Sequence, residues 1–198
     1  MAIYALGDLH LSFARSKPMD IFGPGWDNHP QKVRHNWNRT VSDGDLVIIP
    51  GDISWAMQLE EAAADLNWLA GLNGQKLLLR GNHDYWWTAI GKVRAALPEG
   101  LHALQNDHFP WGNLAVCGTR GWLCPGEEGF NSPQDEKIYR RELLRLQMSL
   151  ESARKAGFTR IIAALHFPPF ERRSRSSGFT DLLEQYGVKI CVFGHIHD

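Results

Sequence analysis

The stretch LVIIPGD, residues 46–52, decides how the chain reads. Its four aliphatic residues carry no polar alternation, so they predict a strand buried on both faces, as in a parallel sheet. Pro50 and Gly51 end the run and Asp52 follows at its carboxyl end. The same pattern recurs along the chain. AIYAL (2–6) leads into Gly7, Asp8, Leu9 and His10, and KLLL (76–79) leads into Arg80, Gly81, Asn82, His83 and Asp84. IIAAL (161–165) leads into His166, and KICVF (189–193) leads into Gly194, His195, Ile196 and His197. A sixth run, LAVC (114–117), precedes Gly118, Thr119 and Arg120.

Helical patterns fill the intervals. They are expected at 31–41, 59–72, 86–97 (stopped by Pro98), 133–156 and about 179–186. In LEEAAADLNWLAGL the apolar stripe reads Leu59, Ala62, Ala63, Leu66, Leu69 and Ala70. Ser132, Pro133 and Gly157 are the cap, first-turn and stop residues of the longest helix, whose Leu/Met stripe reads as core. Strands alternating with helices predict an α/β layered fold. No repeat or low-complexity linker interrupts it, and 12–30 and 168–178 read as long loops.

The 198 residues suit one domain, 1–198. With 43% hydrophobic and 22% charged residues the chain has a globular rather than a disordered composition. A net charge of −1 offers no basic field for nucleic acid. Cys117, Cys124 and Cys191 fit neither a zinc ribbon nor a disulfide framework and read as reduced thiols. Together with the lack of a signal-peptide pattern or an apolar run of spanning length, they give a cytoplasmic expectation with no membrane partner.

In open α/β sheets ligands bind beyond the carboxyl ends of strands. The residues there are metal-ligand types: Asp8, His10, Asp52, Asn82, His166, His195 and His197. In extended backbone, i and i+2 share a face, so Asp8 with His10 and His195 with His197 can each aim two side chains into one site. Mixed imidazole and carboxylate shells suit Mn, Fe or Zn better than Mg or Ca. Two divalent ions, two aspartates and a bridging hydroxide leave about one net positive charge, which attracts and attacks an anionic ester.

The blocks Asp8–His10, Gly51–Asp52, Gly81–Asp84, His166 and Gly194–His197, in this order over almost the whole chain, resemble the signature of calcineurin-like metallophosphoesterases, in a small bacterial-type phosphohydrolase branch. The resemblance implies two mixed β-sheets sandwiched between helices. It implies that Asp8, His10 and His197 hold one ion, that Asn82, His166 and His195 hold the other, and that Asp52 bridges. It makes His83 the general acid or an electrostatic stabiliser beside the leaving-group oxygen and Asp84 its orienting partner, with capping of a helix near Tyr85 as the alternative for Asp84. The implied reaction is hydrolysis of a phosphomonoester or phosphodiester, in a small molecule or a phosphoprotein, by a metal-bridging hydroxide. Relatives usually continue with further strands, so the chain ending at Asp198 is expected either to be shortened or to lack the family's last segment.

Other residues carry weaker signals. Arg120 could bind a substrate phosphate or form an internal ion pair. Trp55, Trp86 and Trp87 could wall the site or pack between helix and sheet. Arg172, Arg173 and Arg175 read as a solvated charge run, and His29, His35, His102 and His108 as ordinary histidines. A nuclease would need a basic, aromatic groove that the composition does not favour. A non-catalytic protein-binding scaffold would be expected to have lost the histidines retained here.

Overall fold

A computed structural model describes residues 1–17, 19–171 and 176–196. The expected ligand His197 and the arginines at 172, 173 and 175 lie outside the described residues. The chain divides into two units, Met1–Leu78 with Asn82–Ala103, and Leu79–Gly81 with Leu104–Asp198.

The first unit holds β1 (Ile3–Ala5), α1 (His29–Thr40), β2 (Leu46–Ile49), α2 (Leu59–Ala70), β3 (Gln75–Leu78), α3 (Ile90–Ala96) and β4 (Leu101–Ala103). Its sheet runs β1-β2-β3-β4 and is parallel throughout. All of β2 is buried, as its unbroken aliphatic run predicts. The core of this unit gathers Val47, Ile49, Leu66, Leu69, Trp86 and Val93.

The second unit holds β5 (His108–Trp111), β6 (Leu114–Thr119), α4 (Pro133–Lys155), β7 (Ile161–Leu165), α5 (Gly178–Gln185) and β8 (Ile190–Phe193). Its sheet runs β5-β6-β7-β8, with β5 antiparallel and the remaining pairs parallel, so of the two sheets this one is mixed. Gly118 is required where β6 meets β7, because a Cβ there would lie 2.1 Å from the Ala164 carbonyl oxygen.

The α/β class and the two sheets match expectation, and several details differ. The six apolar runs all contribute strands, but β4 and β5 were not foreseen. β4 is only three residues long, and β5 contains Pro110, which an edge strand tolerates. α3 starts at Ile90 instead of Trp86, because residues 84–87 form a turn in which Trp87 N–H donates to the Asp84 carbonyl. In α2 the buried stripe is Ala62, Asp65, Leu66 and Leu69, so a carboxylate sits inside while Ala63 is exposed. In α4, Leu146 and Leu150 are core, but Leu144 and Met148 are exposed and Glu142 is buried in their place. Ser132 caps α4 as expected, in a capping box with Asp135.

Candidate metal centre

In the first unit the pairing of β1 with β2 continues past the strand ends. Asp8 N donates to Gly51 O, His10 N to Asp52 O and Leu11 N to Ile53 O, at 3.1, 2.9 and 2.9 Å. These two zipped loops carry Asp8, His10 and Asp52, each of which offers a ligand atom within 4.8 Å of the others. His10 and Asp52 are buried. Extended backbone does not bring Asp8 and His10 together, contrary to the pleat argument. Asp8, His10 and Asp52 have φ of 57°, 45° and 52°, the left-handed region that non-glycine residues seldom occupy. His195 shares it at 70°. Such strain persists where the surroundings over-determine it and clusters at functional sites.

Two buried carboxylates secure these loops. Asp84 accepts from the backbone N–H of Asp52, Ile53 and Ser54 and from Trp86 Nε1, at 2.9, 2.9, 3.2 and 2.9 Å. It does not cap a helix, since the N-cap of α3 is Ala89. Asp65 accepts from Phe13 N at 2.8 Å and from the Ser54 hydroxyl.

Asp52 Oδ1 accepts from His83 N at 2.8 Å. Burial, and then the charge of Asp84, push the Asp52 carboxyl up to about 7 against the lowering effect of that hydrogen bond. A buried carboxylate whose charge is disfavoured in this way, grouped with a second carboxylate and an imidazole, is a donor set that fits a divalent transition metal. The His83 ring lies 5.9 Å from that of His10 and 4.5 Å from Trp55, beside the donor group. Trp55 stacks on His10 at 4.8 Å, whereas Trp86 and Trp87 are core. Asn82 follows β3 in the same unit, half-buried.

Sequence reasoning read His29 as an ordinary histidine and passed over Trp26. His29 Nε2 shares a hydrogen bond with the Leu9 carbonyl at 2.9 Å, and Trp26 packs edge-on to both His10 and His29. Their one signal was aromatic residues within the Gly/Pro-rich stretch 22–30.

In the second unit the rings of His166 and His195 lie 5.0 Å apart, with Phe167 4.1 Å from His195. Both His166 N and Phe167 N donate to the Arg120 carbonyl, at 3.0 and 2.9 Å, and Gly194 N donates to His166 O at 3.1 Å. The Arg120 side chain pairs at 4.0 Å with buried Glu142, which also takes Arg141, Arg145 and the Thr119 hydroxyl. Burial pulls the Arg120 guanidinium down to about 10. This places Arg120 in an internal ion-pair cluster, one of its two expected roles. A cleft of about 880 Å³ borders His195 and is lined by Trp122, Phe167, Phe170, Glu127 and Glu171. The three cysteines are free, and burial pushes their thiols up to about 12, 11 and 12, so they stay protonated at neutral pH. Among the described residues no helix is long and apolar enough to cross a membrane.

The chain is 35% identical over 131 residues to the Gene 66 protein of Mycobacterium phage D29, a match covering 55% of this chain and 64% of that protein's length. The phosphopantetheinyl hydrolase of Mycobacterium tuberculosis shares the fold at a TM-score of 0.52 and 16% identity, over 98% of this chain and 82% of that one. A protein of unknown function from Aquifex aeolicus aligns over 98% of this chain and 89% of its own, with a TM-score of 0.48 and 15% identity. The family model for calcineurin-like phosphoesterases matches residues 1–198, and the chain belongs to that family.

Proposed function

We propose that the chain is a metal-dependent phosphohydrolase acting on a phosphomonoester or phosphodiester. One observation carries this reading: Asp8, His10 and Asp52 converge within 4.8 Å, all three on left-handed backbone. Two divalent ions, of Mn, Fe or Zn type, would be held by these residues with Asn82, His166, His195 and His197 as the further ligands read from the sequence. Bound there, the ions would polarise the phosphoryl oxygens and make a water nucleophilic at neutral pH.

The chain's own residues have distinct tasks. Asp52, whose carboxylate is held in place by His83 N–H, would be the ligand common to both ions. The His83 imidazole donates a proton to the departing oxygen, a task for which its place beside His10 and Trp55 suits it. Trp55 covers one face of the His10 ring and keeps water from it. No side chain is asked to form a covalent intermediate. The two units are proposed to serve as one cytoplasmic domain, with a small phosphate ester or a phosphoprotein as substrate.

The test is hydrolysis of an aryl phosphomonoester and an aryl phosphodiester, side by side, with Mn²⁺ and with a chelator. Chelator-sensitive turnover is expected, and the monoester-to-diester ratio names the substrate class. A protein that binds two ions per chain and turns over neither ester overturns the hydrolase reading in favour of a binding scaffold.

A further inference from the structure

We propose that Asp65 is a positioning residue of the metal centre, its buried carboxylate clamping together the two loops that carry Asp8, His10 and Asp52. The proposal rests on the metal-dependent reading above.

Asp65 is 1% exposed and lies in the middle of α2, in register with Ala62, Leu66 and Leu69, where an aliphatic side chain would pack. A carboxylate is not needed to form that helix, and burying one is costly unless it is hydrogen-bonded. Its bonds run to the ligand loops. Oδ1 accepts from Phe13 N at 2.8 Å, three residues past His10. Oδ2 accepts from the hydroxyl of Ser54, two residues past Asp52. That hydroxyl in turn accepts from Ala56 N at 3.1 Å, which fixes its orientation. Between these anchors Leu11 and Ser54 form a parallel bridge, and Trp55 N donates to Leu11 O at 2.9 Å.

The two acceptor oxygens of one carboxylate thus grip both loops at once. Asp84 secures backbone N–H groups of the 52–54 loop, and Asp65 ties that loop to the one bearing Asp8 and His10. Left-handed backbone at Asp8, His10 and Asp52 is strained and must be held from outside. Asp65 is one of the groups that hold it.

The experiment compares wild type with Asp65→Ala, Asp65→Asn and Ser54→Ala by calorimetric Mn²⁺ titration and by amide exchange, with circular dichroism to verify the fold. Asp65→Ala is expected to bind Mn²⁺ about 10–100-fold more weakly. Its amides at 11–13 and 52–54 are expected to exchange about tenfold faster while α2 stays protected. Asp65→Asn keeps an acceptor for Phe13 and should recover part of the affinity. Should Asp65→Ala fail to fold, Ser54→Ala, which removes one arm only, and Asp65→Asn carry the test. Mn²⁺ affinity within twofold of wild type in the folded variants overturns the clamp. A wild-type protein that binds no Mn²⁺ instead overturns the metal-dependent reading itself, and the two failures are told apart by that control.

Discussion

Replacing Asp84 by Asn probes the most heavily used carboxylate in the first unit. Its Oδ1 accepts from Ile53 N, Ser54 N and Trp86 Nε1, and its Oδ2 from Asp52 N. Hydrogen bonds to a charged acceptor contribute roughly 1.5–3 kcal/mol each, and a buried donor left unpaired costs about 1–3 kcal/mol. Asparagine can keep the Oδ1 bonds in weakened, neutral form, but its amide nitrogen then faces the Asp52 N–H, donor against donor. Relief of the repulsion between Asp84 and Asp52 offsets part of the loss. The net destabilisation expected is about 3 kcal/mol, which for a chain of this size lowers the thermal midpoint by roughly 6–12 °C. Because the donor in conflict is the backbone of a proposed metal ligand, Mn²⁺ affinity should fall about 10–100-fold as well. Thermal unfolding without metal and calorimetric Mn²⁺ titration read the two effects. A variant that keeps both its midpoint and its affinity but loses turnover would refute this reasoning and assign Asp84 to orienting His83.

Other outcomes follow from single contacts. His83→Ala should leave Mn²⁺ stoichiometry unchanged and lower kcat about 10²–10⁴-fold, as loss of a general acid does; full turnover would exclude that role. Asp52→Ala should abolish metal loading and turnover together, measured by bound metal per chain. Gly118→Ala places a methyl 2.1 Å from Ala164 O and 2.8 Å from Leu79 Cδ2, so the urea midpoint should drop by the equivalent of about 3 kcal/mol or more. Lys76 is buried at the end of α2, donating to the carbonyls of Ala70 and Leu72, and burial pulls its amine down from 10.5 to about 8. Between those values the unfolded chain keeps a proton that the folded chain has released, so stability rises with pH there, with the charge-burial penalty fully present below about 8. The stability difference between wild type and Lys76→Met should therefore shift in favour of wild type by on the order of 2 kcal/mol from pH 8 to 10.5. A flat difference would show that Lys76 does not titrate in this window.

The legible part of the chain was whatever short-range chemistry dictates. Unbroken aliphatic runs such as 46–49 can only satisfy both faces inside a sheet, and Gly, Asp and His at their ends mark the edge where ligands gather. Ser132, Pro133 and Gly157 announced α4 because caps and stops act within a few residues. What remained hidden depends on partners far along the chain. Asp65 and Glu142 carry no signal in sequence, since a carboxylate is ordinarily solvated, and Asp84 was read only against its neighbours, as the partner of His83 or a cap near Tyr85. They are buried because loops and arginines up to 52 residues away bring the donors that replace water. Likewise Asp8 and His10 were expected to share a face through an extended backbone. With Asp52 they converge through left-handed turns, a conformation uncommon for any residue but glycine, though Asp and His adopt it more readily than most, and here held by the surrounding hydrogen bonds. The residue types at the strand ends could be read from the sequence alone, because ligand chemistry belongs to the side chain. The backbone geometry that aims them could not, because it is held by contacts that exist only once the chain has folded.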